Sequence, residues 1–159
     1  MNKINPKENK ITWVEKYRPN NIDDLIAPDH IKESMNQFIK KKKMPHLLLY
    51  GPPGTGKTST ILAVAKIIYG VNYKNMILEL NASDDRNIKV VREQIKEFAK
   101  TQNNFSIFMN DKTNMVKYKL IILDEIDSMT QDAQFCLRRI METYSSNTRF
   151  CLICNYINK

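Results

Sequence analysis

Hydrophobic and polar positions along this chain change period several times, and each change marks an element. From Asp29 to Lys43, Ile31, Met35, Phe38 and Ile39 recur at helical spacing. Asp29 can cap such a helix, its basic end suits the C-terminal dipole, and Pro45 closes it. A short apolar strand follows at Leu47–Tyr50, then a glycine-rich turn, then a helix over Lys57–Tyr69 with Ile61, Leu62, Val64, Ala65 and Ile68 as its core side. The pattern then predicts a strand at 76–80, a helix at 88–100, a strand at 119–123, a helix at 130–144 and a strand at 149–154. Strands that are apolar along their length and alternate with helices imply an α/β fold. Its parallel sheet would be covered on both faces. The polar stretch between Thr101 and Lys117 reads as a surface loop, and the first dozen residues as a flexible polar tail ahead of the domain at 13–159.

Composition narrows the picture only a little. The 159 residues fit one domain, and 42% hydrophobic content is that of a globular chain. Apolar runs such as Leu47–Tyr50 are far short of the roughly 20 residues a bilayer span needs. No apolar stretch follows the N-terminus, so neither a signal peptide nor a membrane-spanning segment is expected. Lys and Arg number 25 against 17 Asp and Glu, a net charge of +8. That charge admits nucleic acid, an anionic membrane surface or a polyphosphate, and selects none of them. The three cysteines, Cys136, Cys151 and Cys154, argue for a reducing compartment. Cys151 and Cys154 spell C-x-x-C, but within a buried strand residues three apart face opposite ways, so they read as small core residues.

Two motifs carry chemistry. Gly51-Pro52-Pro53-Gly54-Thr55-Gly56-Lys57-Thr58 meets every fixed position of G-x-x-x-x-G-K-[ST], between a strand and a helix. Glycines let consecutive backbone N–H groups turn inward around a phosphate, and the helix starting at Lys57 aims its positive end at the same anion. Lys57 can reach β and γ phosphates, and the Thr58 hydroxyl can ligate Mg²⁺. The second motif is Leu120-Ile121-Ile122-Leu123-Asp124-Glu125, an apolar strand ending in two acids at the sheet edge where ligands bind in such folds. Asp124 would hold Mg²⁺, and Glu125 would polarise the water that attacks the γ phosphate. Asp127 reads as a cap or charge for the helix beginning near Thr130. Lys89, Arg92, Lys96 and Lys100 share one helical face, which taken alone is most simply a solvated surface. The Lys40–Lys43 run reads as a solvated helix end.

Together these residues resemble the AAA+ ATPases, and further segments resemble the small subunits of replication factor C, the clamp loaders. The segments are Trp13–Pro19, Leu80–Arg86, Asp124–Thr130, Ala133-Gln134 with Leu137–Arg139, and Asn147–Asn155. The resemblance implies a P-loop three-layer sandwich and ATP or ADP with Mg²⁺ as cofactors. Val14, Tyr17, Arg18 and Pro19 would contact the adenine end, and Gly51–Ser59, including Pro52, Pro53, Gly54, Thr55 and Gly56, the phosphates. Asn155 would be the sensor near the γ phosphate, with Glu125 and Lys57 catalytic, Thr58 and Asp124 metal-binding, and Arg86 a candidate link to DNA. Lys89, Arg92, Lys96 and Arg138 would face primer–template DNA in a central channel. The partners implied are other loader subunits in a hetero-pentamer and a sliding clamp, and the compartment implied is the nucleus. The family's fifth strand, helical lid, trans-acting arginine and collar would lie beyond residue 159, so the chain reads as a domain truncated before the last strand. Little turnover is then expected of it alone. The competing reading is a subunit that holds nucleotide structurally and hydrolyses little. A small-molecule kinase, a helicase loader or a Holliday-junction motor fits these segments less well.

Overall fold

In a computed structural model of the protein, the described residues are 24, 27–83, 88–101 and 116–156. The expected tail, the Trp13–Pro19 segment with Val14, Tyr17, Arg18 and Pro19, and Arg86 lie outside them. Helix α1 spans Asp29–Lys41 and packs against α2, Lys57–Tyr69. Between them runs strand β1, Leu47–Tyr50. A 3₁₀ turn at Gly70–Asn72 and a single helical turn, α3 (Tyr73–Met76), lead into β2, Ile77–Asn81. Then come α4 (Ile88–Lys100), β3 (Lys119–Asp124), a 3₁₀ turn (Ile126–Ser128), α5 (Gln131–Tyr144) and β4 (Thr148–Cys154).

All four strands are parallel, in the order β1-β4-β3-β2. The sheet separates two cores. On one face Met35 of α1 and Ile61, Leu62, Val64 and Ile68 of α2 pack on Leu120, Ile122, Cys151 and Ile153. On the other, Val91 and Ile95 of α4 with Leu137 and Ile140 of α5 pack on Ile121, Leu123 and Phe150. Alternate residues of β3 thus feed opposite cores, as the pleat dictates. Cys151 and Cys154 are buried and unbridged, and the expected divergence of the pair holds: Cys151 lies among the α1–α2 core, while Cys154 borders a cleft lined by α5 residues. Burial pushes the Cys151 thiol up to about 12 and raises that of Cys154 as well.

Several boundaries move. The first helix ends at Lys41, because Lys42 turns left-handed (φ 46°) and its N–H closes on the carbonyls of Phe38 and Ile39. Asp29 does not cap it; Pro28 holds the N-cap position and Asp29 supplies first-turn charge. Helix α2 is buried without a break from Thr60 to Ala65, more than the one core side its spacing suggested, because small Ala63 and Ala65 let it fit between the sheet and α1. At β1 the coverage fails on one face, where Leu48 and Tyr50 are 51% and 63% exposed. Asp127 is not the cap of α5. Thr130 is, its hydroxyl oxygen accepting from the Ala133 amide at 3.3 Å, while Asp127 sits in the preceding 3₁₀ turn.

Candidate functional site: a phosphate cradle at the carboxyl edge of the sheet

Strand β1 ends at Tyr50, in register with Cys154 of β4, so the turn after β1 and Asn155 emerge side by side. Strand β3, on the other side of β4, ends at Asp124. Neighbouring strands run about 4.8 Å apart, so three strand ends converge within about 10 Å. The turn Gly51–Gly56 needs its glycines. Gly54 and Gly56 have φ of 78° and 80°, the left-handed region that favours glycine, and Gly56 is the N-cap of α2. Thr55 ties the turn by donating to the Pro52 carbonyl at 2.9 Å.

Lys57 Nζ donates to the carbonyls of Gly51 and Pro52, both at 2.9 Å, and to Oδ1 of Asn155 at 3.0 Å. Three acceptors match the three donors of an ammonium and fix it at the mouth of the turn. Thr58 Oγ1 donates to Oδ2 of Asp124 at 2.6 Å, the short distance of a hydroxyl on a carboxylate. The second oxygen, Oδ1, accepts the Glu125 amide at 2.8 Å. Glu125 itself is left-handed (φ 54°, ψ 39°), a conformation that costs a non-glycine residue about 1–2 kcal/mol. Its carbonyl accepts from the Ser128 amide at 2.9 Å and the Ser128 hydroxyl at 2.7 Å. These residues line a cleft of about 340 Å³ bounded by Pro53, Gly54, Gly56, Lys57, Thr58, Ser59, Asp124, Glu125 and Asn155.

A hydroxyl and a carboxylate are hard oxygen donors, the chemistry Mg²⁺ prefers, and Thr58 and Asp124 are the pair that could hold it. Among the described residues no group of three His, Cys, Asp or Glu side chains could form a metal cage. Such a cation would therefore take its remaining ligands from phosphate and water.

The candidate DNA-facing residues fall on two helices packed on one sheet face. Arg92 is exposed, and Lys96 is half-buried beside Glu93 at 3.3 Å. Arg138 is exposed and pairs with Glu142 at 3.3 Å, and Arg139 lies over the Phe135 ring at 5.4 Å. Lys89 lies on α4, but its side chain is outside the described residues.

Sequence reading missed a structural use of positive charge at the opposite edge of the sheet. Lys119, the first residue of β3, is 4% exposed and donates to the carbonyls of Phe98 (2.7 Å) and Thr101 at the end of α4. Arg149 donates to the Met44 carbonyl at 3.0 Å and to that of Ser145 after α5, its guanidinium 5.2 Å from the Tyr118 ring centre. Lys119 and Arg149 both stood at strand starts in the sequence, where a cation can meet preceding helix ends; that position was the available signal.

Comparison with known proteins agrees with this geometry. The model of the "ATPase family associated with various cellular activities (AAA)" matches residues 47–159. The chain belongs to that family of P-loop ATPases. Within it, the chain is 59% identical over 149 residues to probable replication factor C subunit 5 of Dictyostelium discoideum, covering 94% of this chain and 41% of that protein. It is 55% identical over 152 residues to replication factor C subunit 3 of Schizosaccharomyces pombe, covering 96% and 42%. The chain thus spans about two fifths of the length of these relatives. A solved structure of a Thermotoga maritima RuvB Holliday junction branch migration motor shares the fold, with a TM-score of 0.59 at 16% identity, covering 87% of this chain and 41% of that one. Among the described residues, no helix is long and apolar enough to cross a membrane.

Proposed function

We propose that this chain is the ATP-binding and hydrolysing part of a sliding-clamp loader subunit, which places the clamp on primer–template DNA during nuclear replication and repair. The observation that carries the reading is the convergence of Lys57, Thr58, Asp124, Glu125 and Asn155, drawn from three strand ends, in one cleft. The similarity to replication factor C subunits supports the replication role.

The backbone amides of Gly54–Lys57 and the N-terminus of α2 bind the phosphate chain. Lys57 neutralises the β and γ oxygens, exchanging carbonyl contacts for phosphate. Thr58 and Asp124 hold Mg²⁺, which when bound polarises the phosphates. Glu125 accepts a proton from the attacking water, and Asn155, beside Lys57, orients that water or touches the γ oxygens. Val14, Tyr17, Arg18 and Pro19 cover the adenine. Lys89, Arg92, Lys96 and Arg138 contact DNA phosphates without reading sequence. Partner subunits complete the ring.

Replacing Glu125 with Gln in the full-length subunit within its assembly tests the reading. ATP binding should persist and single-turnover hydrolysis should fall about 10²-fold or more. Unchanged hydrolysis would instead make the chain a nucleotide-dependent structural subunit. Lys57→Ala should abolish nucleotide binding itself, read by equilibrium titration.

A further inference from the structure

Glu125 combines two properties that ordinarily conflict. It is the acid at the lip of the phosphate cleft, and its backbone is left-handed at φ 54°, ψ 39°. Only one other described non-glycine residue has positive φ, Lys42 at a helix C-terminus, where that conformation is routine. A glutamate persists there only when its surroundings over-determine it. Two neighbours do so. Upstream, Asp124 Oδ1 accepts the Glu125 amide at 2.8 Å. Downstream, the Glu125 carbonyl receives both the amide (2.9 Å) and the hydroxyl (2.7 Å) of Ser128. The amide bond closes the 3₁₀ turn Ile126–Ser128 and would form with any residue but proline at that position. The hydroxyl bond is particular to Ser128.

We infer that Ser128 is a positioning residue for hydrolysis: its hydroxyl clamps the Glu125 carbonyl and so holds the Glu125 carboxylate toward the cleft. The inference rests on Glu125 acting as proton acceptor, as proposed above. Ser128 is exposed and does not line the cleft, so it has no direct reach to nucleotide. Loss of its hydroxyl leaves the amide bond in place. The turn survives, but the Glu125 backbone regains freedom to relax out of the left-handed region. A carboxylate displaced by a fraction of an ångström loses rate, not affinity, because phosphate contacts are made by other residues.

The experiment uses the full-length subunit in its assembly with three variants: Ser128→Ala, Ser128→Thr and Glu125→Gln. Ser128→Ala should lower kcat about 3- to 30-fold, with ATP affinity and melting temperature unchanged. Ser128→Thr keeps the hydroxyl and should restore most of the rate. Glu125→Gln with Ser128→Ala should be no slower than Glu125→Gln alone, since the clamp acts only through that carboxylate. Normal kcat in Ser128→Ala while Glu125→Gln is impaired overturns the clamp and leaves the hydrolysis reading standing. A Ser128→Ala effect on affinity alone, or no rescue by Thr, also overturns it. Normal turnover in Glu125→Gln removes the hydrolysis reading and the clamp with it.

Discussion

His46 shows how a single ring can make a sheet sensitive to acid. It precedes β1, and its Nδ1 accepts the Phe150 amide of β4 at 3.1 Å, with the two rings 5.7 Å apart. Accepting that bond requires the neutral ring. Partial desolvation of the ring, which stays exposed along one side, and then the nearby Arg149 charge lower its pKa from the usual 6.5. A depressed histidine contributes stability fully above the unfolded value of 6.5, and loses it as pH falls through the lower folded value. Denaturation midpoints should therefore fall from about pH 7 to about pH 5, and His46→Gln, which can still accept a bond, should flatten that slope. An equal slope in both proteins would assign the acid sensitivity elsewhere. No sequence signal pointed to His46, because its role depends on a strand 104 residues away.

At the scale of elements, the alternation of periods was enough to place the four strands and the four long helices among the described residues, because each apolar run is short and bounded by Gly, Pro or charge; it missed the single helical turn Tyr73–Met76, whose last residue it assigned to β2. What periodicity could not show was which face each element would lose to its neighbours. Helix α2 had one predicted core side and proved buried nearly all round, since burial there is set by α1 lying over it. Strand β1 looked as covered as β3 but exposes Leu48 and Tyr50. The phosphate turn was legible residue by residue, since its geometry is local. Asp124 was legible from its strand end alone, but its 2.6 Å bond to Thr58 was not. Lys119 joins two elements in a way that no local pattern announces. It closes the C-terminus of α4 onto the start of β3, with its ammonium 4.7 Å from the Phe98 ring centre. Burial lowers its pKa, yet its carbonyl partners need the donors. Lys119→Met should leave those carbonyls unmet and cost about 1–3 kcal/mol in urea denaturation, with the nucleotide site at the far edge unaffected.

For the whole molecule, the net charge of +8 divides into parts with different duties. Lys57 serves the cleft, Lys119 and Arg149 serve the fold, and Arg92, Lys96 and Arg138 lie on α4 and α5 on one sheet face. If that last group meets DNA phosphates, replacing Arg92 and Lys96 with Ala should weaken DNA binding by the assembled loader. It should also reduce the slope of log affinity against log salt by about 1.8. Unchanged affinity and slope would return those residues to plain solvated surface. The strand order carries a consequence for how the protein is made. Lys57 follows the turn after β1 and Asp124 ends β3, yet these two strands do not pair with each other; β4, the last of the four described strands, lies between them. A nascent chain with only residues 1–147 outside the ribosome lacks the strand that hydrogen-bonds β1 to β3. Entry of β4 sets the β1 and β3 ends at their working distance and delivers Asn155 to Lys57 in the same event. The described cleft is thus completed by β4, and no folding intermediate that lacks β4 holds Lys57, Asp124 and Asn155 in this arrangement.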